Sequence, residues 1–247
     1  MKLIVNADDF GYSEGVNHGI MEAFYHGVVT SATLMVNMPG AAHAFALKEA
    51  NPSLGVGIHF VLTCGKPMSE DVTSLINEEG YFRKGKEYLD AADSKEIRKE
   101  LNAQFTRFVE QGGLPTHIDS HHHVHAHKKV LPTVIEIAKK YSLPIRLTGP
   151  NSEELKNAAI LTTDFLAHTF YGETATRAHF IQLLETICGF ETAELMTHPG
   201  YVDEAVKIGS SYHIQRLQEL QVLTDSTLKQ ELEKRKIELT HYGSIKG

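Results

Sequence analysis

The sequence predicts an α/β fold, an irregular, TIM-like (β/α) barrel that forms a single domain over residues 1–247. Short β-branched, apolar runs alternate with longer segments of helical period, which is typical of parallel strands joined by helical crossovers. The length of 247 residues is also the usual size of a β/α barrel. A doubly wound open sheet is the alternative that the same alternation allows.

The elements follow from the two periods in the sequence. Short apolar runs predict strands at 2–6, 30–37, 54–60, 116–119, 143–147 and 193–197. Apolar residues at helical spacing predict helices at 14–26, 41–50, 94–109, 129–140, 176–187, 212–220 and 226–236. Residues 93–96 fit a capping box at the start of the third helix. The polar stretch 64–92 is predicted to be a lid or binding loop, and no element is predicted for 151–170.

Composition and charge exclude several classes of partner. The chain has 24 basic and 31 acidic side chains without a basic block, so it is not expected to bind nucleic acid. It has no run of about 18 apolar residues, the length that spans a bilayer, so no membrane association is expected. The apolar stretch near its start is too short for a signal-peptide core, so a cytoplasmic protein is expected.

Acids and histidines follow four of the predicted strands at their carboxyl ends. They are Asp8 and Asp9, His59, the triplet 121–123, and His198. Both parallel-sheet architectures place their sites at that edge, so these side chains are expected to converge. Neighbouring strand residues point to opposite faces, so one carboxylate of the pair can bind a cation while the other moves protons.

The segment 117–127 holds 6 of the 15 histidines. On a strand, His117, Asp119 and His121 share a face, and a carboxylate beside a ligating imidazole is a usual arrangement around a metal. A surface loop that picks up metal adventitiously is the alternative.

These donors predict a metal-dependent hydrolase. Asp9, His59 and one histidine of the triplet form a two-imidazole, one-carboxylate set that suits Zn or another divalent transition metal and leaves room for water and substrate. A metal of this kind lowers the pKa of its bound water. Asp8 would take the proton from that water. His198 could act as general acid on the leaving group, and a core imidazole held before Pro199 is the alternative for this residue.

Four motifs in this order resemble the YdjC-like carbohydrate deacetylases, of which the chitooligosaccharide deacetylases are members. They are IVNADDFG at 4–11, GIHF at 57–60 with TCGKP at 63–67, PTHIDSHHHVH at 115–125, and THP at 197–199. The resemblance extends over essentially the whole chain, to ELQVLT at 219–224.

The resemblance implies a barrel related to NodB-type deacetylases that removes the acetyl group from N-acetylated, chitooligosaccharide-type sugars with one divalent metal ion. It implies a homodimer, and the family is often assigned Mg, although the donor set favours Zn. Asp9, His59 and His121 match its metal ligands, Asp8 its general base and His198 its catalytic acid. Arg146 is an orienting partner for Asp8, with a surface arginine as the alternative.

Two other functions stay open. Another metal-dependent barrel hydrolase, an amidohydrolase or a phosphoesterase, is disfavoured because the first strand ends in Asp8-Asp9 rather than a His-x-His pair. A non-catalytic protein that stores metal or senses sugar would use the His-rich segment alone.

Overall fold

The computed structural model describes residues 1–245, which form two compact units. The first contains residues 1–34, 39–56 and the chain from Thr163 onward, and the second contains residues 35–38 and 57–162. The single catalytic domain predicted over 1–247 stays a prediction, and its last two residues lie outside the described part of the chain.

Strands and helices alternate along most of the described chain. The strands are β1 (Lys2–Phe10), β2 (Ser31–Leu34), β3 (Gly55–Phe60), β4 (Ile118–Ser120), β5 (Phe165–Ala167), β6 (Thr192–Thr197) and β7 (Glu238–Thr240). The helices are α1 (Glu14–His26), α2 (Ala41–Ala50), α3 (Ser94–Gly112), α4 (Leu131–Tyr141), α5 (Ser152–Asn157), α6 (Arg177–Ile187), α7 (Glu204–Gly209), α8 (Ile214–Leu223) and α9 (Leu228–Lys234).

Strand β1 is the centre of the first unit. It pairs in parallel with β2, β6 and β7, and β6 pairs in parallel with β5. Its residues from Leu3 to Phe10 are all buried, as expected for a strand that is covered on both faces.

Strands β3 and β4 pair in parallel in the second unit, and this register places His59 opposite Asp119. In the first unit the strand order is β2-β1-β6-β5, with β7 beside β1. The carboxyl ends of these strands therefore carry the acids and histidines that the sequence places there.

Several predicted elements differ from the structure. The strand predicted at 143–147 is reduced to one parallel bridge between Ile145 and Ile118. The structure also contains α5, β5, α7 and β7, which are short and were not predicted. Within 64–92, one 3₁₀ helix spans Glu87–Asp90 and the remainder is irregular.

Of the capping box predicted at 93–96, Asp93 caps the helix as expected, whereas Glu96 bonds another residue. Asp93 caps α3 by accepting from the backbone N–H of Lys95 at 2.7 Å. The carboxylate of Glu96 instead accepts from the backbone N–H and hydroxyl of Ser74, both at 2.7 Å. Glu96 therefore ties the irregular segment 64–92 to α3 rather than closing the helix end.

None of the helices in residues 1–245 combines the length and the apolar character that crossing a membrane requires.

Helix α1 lies in very close contact with the chain after β6. A Cβ atom at Gly19 would lie 2.4 Å from the Cα atom of Gly200. The backbone N–H of Tyr201 donates to the carbonyl of Gly15 at 3.1 Å. This contact fixes the backbone immediately after His198, so the absence of a side chain at Gly19 helps to position the site.

We expect Gly19→Ala to destabilise the protein, because the added methyl group meets backbone atoms that cannot move aside. The loss should be on the order of 1–3 kcal/mol, as for other overpacked sites, measured by urea denaturation. Gly189→Ala is the matched control, since a Cβ at Gly189 meets nothing within 4 Å. Equal effects of the two substitutions would contradict this account of the α1 contact.

Candidate metal centre and active site

The backbone at the end of β1 separates the two neighbouring acids. The pairing of β1 with β2 shifts register between Ala7 and Phe10, and Asp9 has a φ of 68°. This left-handed conformation is uncommon for residues other than glycine. The backbone N–H of Tyr12 donates to the Asp9 carbonyl at 3.0 Å and closes the turn.

The two carboxylates consequently meet different partners. The side-chain amide of Asn6 donates to Oδ1 of Asp8 at 2.9 Å. The guanidinium of Arg216 donates to Oδ2 of Asp9 at 2.6 Å. Both acids are buried. The different surroundings agree with the expectation that the two acids need not act alike.

His198 lies between two acids in the first unit. Its Nε2 atom is 3.8 Å from Oδ2 of Asp8, and its Nδ1 atom is 3.7 Å from Oε1 of Glu219. The backbone N–H of His198 also donates to Glu219. The structure thus places the predicted acid and the predicted base, His198 and Asp8, side by side.

The surrounding charges favour the protonated form of His198. Burial lowers the pKa of His198, but the hydrogen bond and charge of Glu219, with the charges of Asp8 and Asp9, outweigh it. The pKa of the imidazole is therefore raised above its ordinary value. A protonated imidazole is the form that a general acid needs.

Glu219 is a functional residue that the sequence interpretation missed. Its carboxylate is completely buried and accepts from the hydroxyl of Tyr212 at 2.5 Å. The backbone N–H of Gly172 donates to that hydroxyl at 2.8 Å. Burial and Glu219 together raise the pKa of Tyr212 well above its ordinary value, so its hydroxyl remains a donor.

Arg216 is a second buried residue that the sequence interpretation missed, and it lies on the same helix as Glu219. Helix α8 buries Arg216 and Glu219, whereas Ile214 is 53% exposed and Leu217 is 37% exposed. Leu220 and Leu223 are also buried, so the buried face of α8 combines charged and apolar side chains. Apolar spacing identifies this helix but does not identify the two charged residues that are buried on it.

A buried charge network surrounds His59 in the second unit. Its Nδ1 atom lies 2.6 Å from Oδ1 of Asp119, and the guanidinium of Arg146 lies 2.8 Å from Oδ2 of Asp119. All three side chains are buried. The alternative that Arg146 is a surface arginine is therefore wrong, while its role toward Asp8 stays a prediction.

This pairing changes the role expected for Asp119. The alternation along 117–121 places Asp119 beside His117 and His121, but its carboxylate bonds to His59 on the neighbouring strand. His117 instead lies 3.0 Å through Nδ1 from the hydroxyl of Thr116. A carboxylate on Nδ1 sets the tautomer in which Nε2 of His59 can bind a metal.

The histidine triplet forms a turn after β4. His122 and His123 each have a φ of 55°, so the chain turns sharply there, and the ring centres of His121 and His122 lie 4.0 Å apart. The ring of His121 lies 5.7 Å from that of His59, edge to face. His122 lies 2.9 Å through Nδ1 from the Thr63 hydroxyl. Its ring contact with His59 makes His121 the best candidate in the triplet for a second imidazole ligand.

His125 has a structural role. Its Nδ1 atom lies 2.6 Å from the hydroxyl of Ser120, which also accepts from the His125 backbone N–H. Complete burial, followed by the charges of His123, Arg146 and His59, holds the pKa of His125 well below its ordinary value. This neutral imidazole supports the turn.

The chain contains candidate Asp/His ligands for a metal ion. Asp8 and Asp9 lie in the first unit, and His59, Asp119 and His121 lie in the second. Asp9, His59 and His121 have the donor chemistry that the sequence predicts, with one carboxylate and two imidazoles, and this set fits a divalent metal. Both oxygens of Asp119 already bond to His59 and Arg146, so Asp119 is the less suitable ligand.

The chain is similar to curated deacetylases over almost its entire length. It is 52% identical to a carbohydrate deacetylase of Brevibacillus brevis, covering 99% of this chain and 100% of that protein. It is 44% identical to a chitooligosaccharide deacetylase of Proteus mirabilis, covering 98% of each.

Solved structures show the same fold. A protein of Enterococcus faecalis V583, provisionally described as a cellobiose-phosphate cleavage protein, matches with a TM-score of 0.93 and 35% identity over 98% of each chain. A family 4 carbohydrate esterase from Streptomyces lividans, solved with acetate, matches with a TM-score of 0.52 and 11% identity over 96% of this chain and 91% of its own. This confirms the predicted barrel class and its relation to NodB-type deacetylases at the level of fold.

The family comparison confirms the resemblance seen in the four motifs. Residues 2–234 match the family described as YdjC-like protein. This match, together with relatives that are 44–52% identical along the chain, shows that the chain belongs to the YdjC-like family.

Proposed function

We propose that this protein is a metal-dependent carbohydrate deacetylase that removes the acetyl group from N-acetylated, chitooligosaccharide-type sugars. The relatives named carbohydrate and chitooligosaccharide deacetylases support the substrate class. The observation that carries the mechanism is the position of Asp8 beside His198, with Nε2 of the imidazole 3.8 Å from Oδ2 of the carboxylate. A base and an acid side by side are what amide hydrolysis requires.

Asp9, His59 and His121 are proposed to hold the metal ion. A divalent cation at these residues would polarise the acetyl carbonyl and lower the pKa of the attacking water. Zn or a similar transition metal suits two imidazoles and one carboxylate better than Mg, which prefers an all-oxygen shell. Asp119 fixes the imidazole of His59 through Nδ1, so that Nε2 serves as the ligand atom.

The remaining steps belong to residues of the chain. Asp8 accepts the proton of the attacking water, and Asn6 orients its carboxylate through the 2.9 Å hydrogen bond. His198 donates a proton to the departing sugar amine. Glu219 stabilises the protonated imidazole, and Tyr212 and Gly172 keep Glu219 in place. The products are acetate and an amino sugar.

Three features stay predictions. They are the orientation of Asp8 by Arg146, the homodimer that the family resemblance implies, and the cytoplasmic location. Nucleic acid and membranes are likewise not proposed as partners.

Asp8→Asn tests the assigned base. The purified protein with stoichiometric metal should release acetate from N,N′-diacetylchitobiose. The variant should lose about 10²–10⁴-fold in kcat while it binds metal with unchanged stoichiometry. Asp93→Asn is the control, because asparagine caps α3 as well as aspartate does. Full turnover in Asp8→Asn would show that the base is another residue.

Failure with both short and long N-acetylated oligosaccharides would remove the substrate class. Release of phosphate instead of acetate from a substrate panel would favour the phosphoesterase alternative. A protein that binds more than one metal ion, and binds it normally as His59→Ala, would favour metal storage.

His198→Gln tests the general acid. We expect kcat to fall by about 10²-fold or more, because the sugar amine then leaves without a proton donor. Metal affinity should not change. His26→Gln is the control, since His26 is exposed at the end of α1. A leaving group that needs no proton, such as an acetyl ester of a nitrophenol, should be cleaved nearly as fast by His198→Gln as by the wild type. Equal losses on the ester and the amide would argue against the acid role.

Asp119→Asn tests the network behind His59. The substitution removes the negative charge between His59 and Arg146, so we expect a loss of unfolding free energy on the order of 3 kcal/mol. Metal affinity should also fall by about 10–100-fold. Glu136→Gln is the control, because it breaks an exposed ion pair with Arg98 and should change stability by no more than about 1 kcal/mol. Unchanged metal affinity in a folded Asp119→Asn protein would contradict the orienting role.

A further inference from the structure

The proposed function leaves one strong contact of Asp9 without a role. Oδ2 of Asp9 accepts from the guanidinium of Arg216 at 2.6 Å, and both side chains are almost completely buried. A buried arginine beside a metal ligand is unexpected on charge alone, since its positive charge repels a divalent cation. A favourable effect of this contact must therefore offset the repulsion between Arg216 and the cation.

Arg216 is itself held in place from three sides. Its Nε atom donates to the carbonyl of Tyr212 at 3.0 Å. The guanidinium carbon lies 5.8 Å from the ring centre of Tyr12 and 5.7 Å from that of Tyr212. Both distances are within the range of cation–π contacts between arginine and aromatic rings. The guanidinium is therefore a rigid donor with a fixed direction.

Asp9 is held equally firmly at its backbone. Its left-handed φ of 68° costs on the order of 1–3 kcal/mol for a residue other than glycine. The bulge between Ala7 and Phe10 and the hydrogen bond from Tyr12 to the Asp9 carbonyl maintain this conformation. The fixed backbone and the bond from Arg216 to Oδ2 together restrict the orientation of the carboxylate.

We propose that Arg216 is a positioning residue that orients the carboxylate of Asp9 for metal binding by bonding its Oδ2 atom. The same guanidinium compensates the buried charge of Asp9 before metal binds, so that the ligand is already oriented in the metal-free protein. This inference rests on the proposed metal site, but it concerns a residue from α8 that neither the sequence motifs nor the donor set include.

The test measures metal binding rather than turnover. Affinity for Zn²⁺ is determined by competition with a chromophoric chelator, and ligand geometry is followed by the visible absorption of the Co²⁺-loaded protein. The variants are Arg216→Lys and Arg216→Met. Arg216→Lys keeps the charge but loses the planar guanidinium group, and Arg216→Met loses both. Arg235→Met is the matched control, because Arg235 bonds Glu231 on α9, outside the site.

We expect Zn²⁺ affinity to fall by about 10–100-fold in both Arg216 variants, as for other residues that orient metal ligands. The Co²⁺ spectrum should change in both variants, whereas Arg235→Met should behave as the wild type. If Arg216→Met does not fold, Tyr12→Leu removes the aromatic ring 5.8 Å from the guanidinium carbon and leaves both members of the Arg216–Asp9 ion pair in place. It should weaken Zn²⁺ binding several-fold.

Two results would overturn the proposal while leaving the metal site intact. Tighter Zn²⁺ binding by Arg216→Met with no change in Arg216→Lys would mean that Arg216 acts only as a repelling charge. A lower melting temperature with unchanged affinity and spectrum would mean that it only stabilises the fold. A wild-type protein that binds neither Zn²⁺ nor Co²⁺ would instead overturn the proposed function, and this inference with it.

Discussion

The need to compensate buried charge governs the arrangement of this protein's reactive residues. Asp9, Asp119 and Glu219 are all removed from water, and an isolated buried carboxylate costs several kcal/mol. Each is matched by a specific donor: Arg216 for Asp9, Arg146 for Asp119, and the Tyr212 hydroxyl for Glu219. Arg216 and Arg146 come from other elements than the acids they compensate, so Asp9 and Asp119 keep their orientation only while those elements are packed together.

In each unit a buried carboxylate lies beside a histidine and contacts a second partner. In the second, Asp119 joins His59 to Arg146. In the first, Glu219 lies between His198 and Tyr212. Asp119 bonds Nδ1 of His59, which sets the tautomer of that imidazole, whereas the carboxylate of Glu219 lies 3.7 Å from Nδ1 of His198 and accepts from the backbone N–H of that residue. The difference is the second partner: a cation behind Asp119 neutralises it, whereas the neutral Tyr212 leaves the charge of Glu219 to raise the pKa of His198.

Much of the fold could be predicted because long elements have strong local signals. The helices 14–26 and 41–50 begin and end where the apolar period places them, and β3 and β6 lie within one residue of their predicted bounds. The short elements were missed since three-residue strands such as β5 and β7 carry no period. Glu96 was assigned to the wrong partner, as a capping box looks the same in sequence whether or not Ser74 competes for its carboxylate.

The sequence by itself determined which residue types end the parallel strands and which family the chain resembles, and with that resemblance it predicts Asp9, His59 and His121 as metal donors and Asp8 and His198 as the base and the acid. These predictions follow from the order of residues along the chain, because a residue that ends a parallel strand also lies at the edge of the sheet where such folds place their sites. Only the tertiary structure decided that Asp119 serves His59 and that α8 turns Arg216 and Glu219 inward. Apolar periodicity identifies α8 as a helix but does not predict that charged side chains are buried on it, because a local pattern contains no information about a compensating partner 207 residues away in the chain.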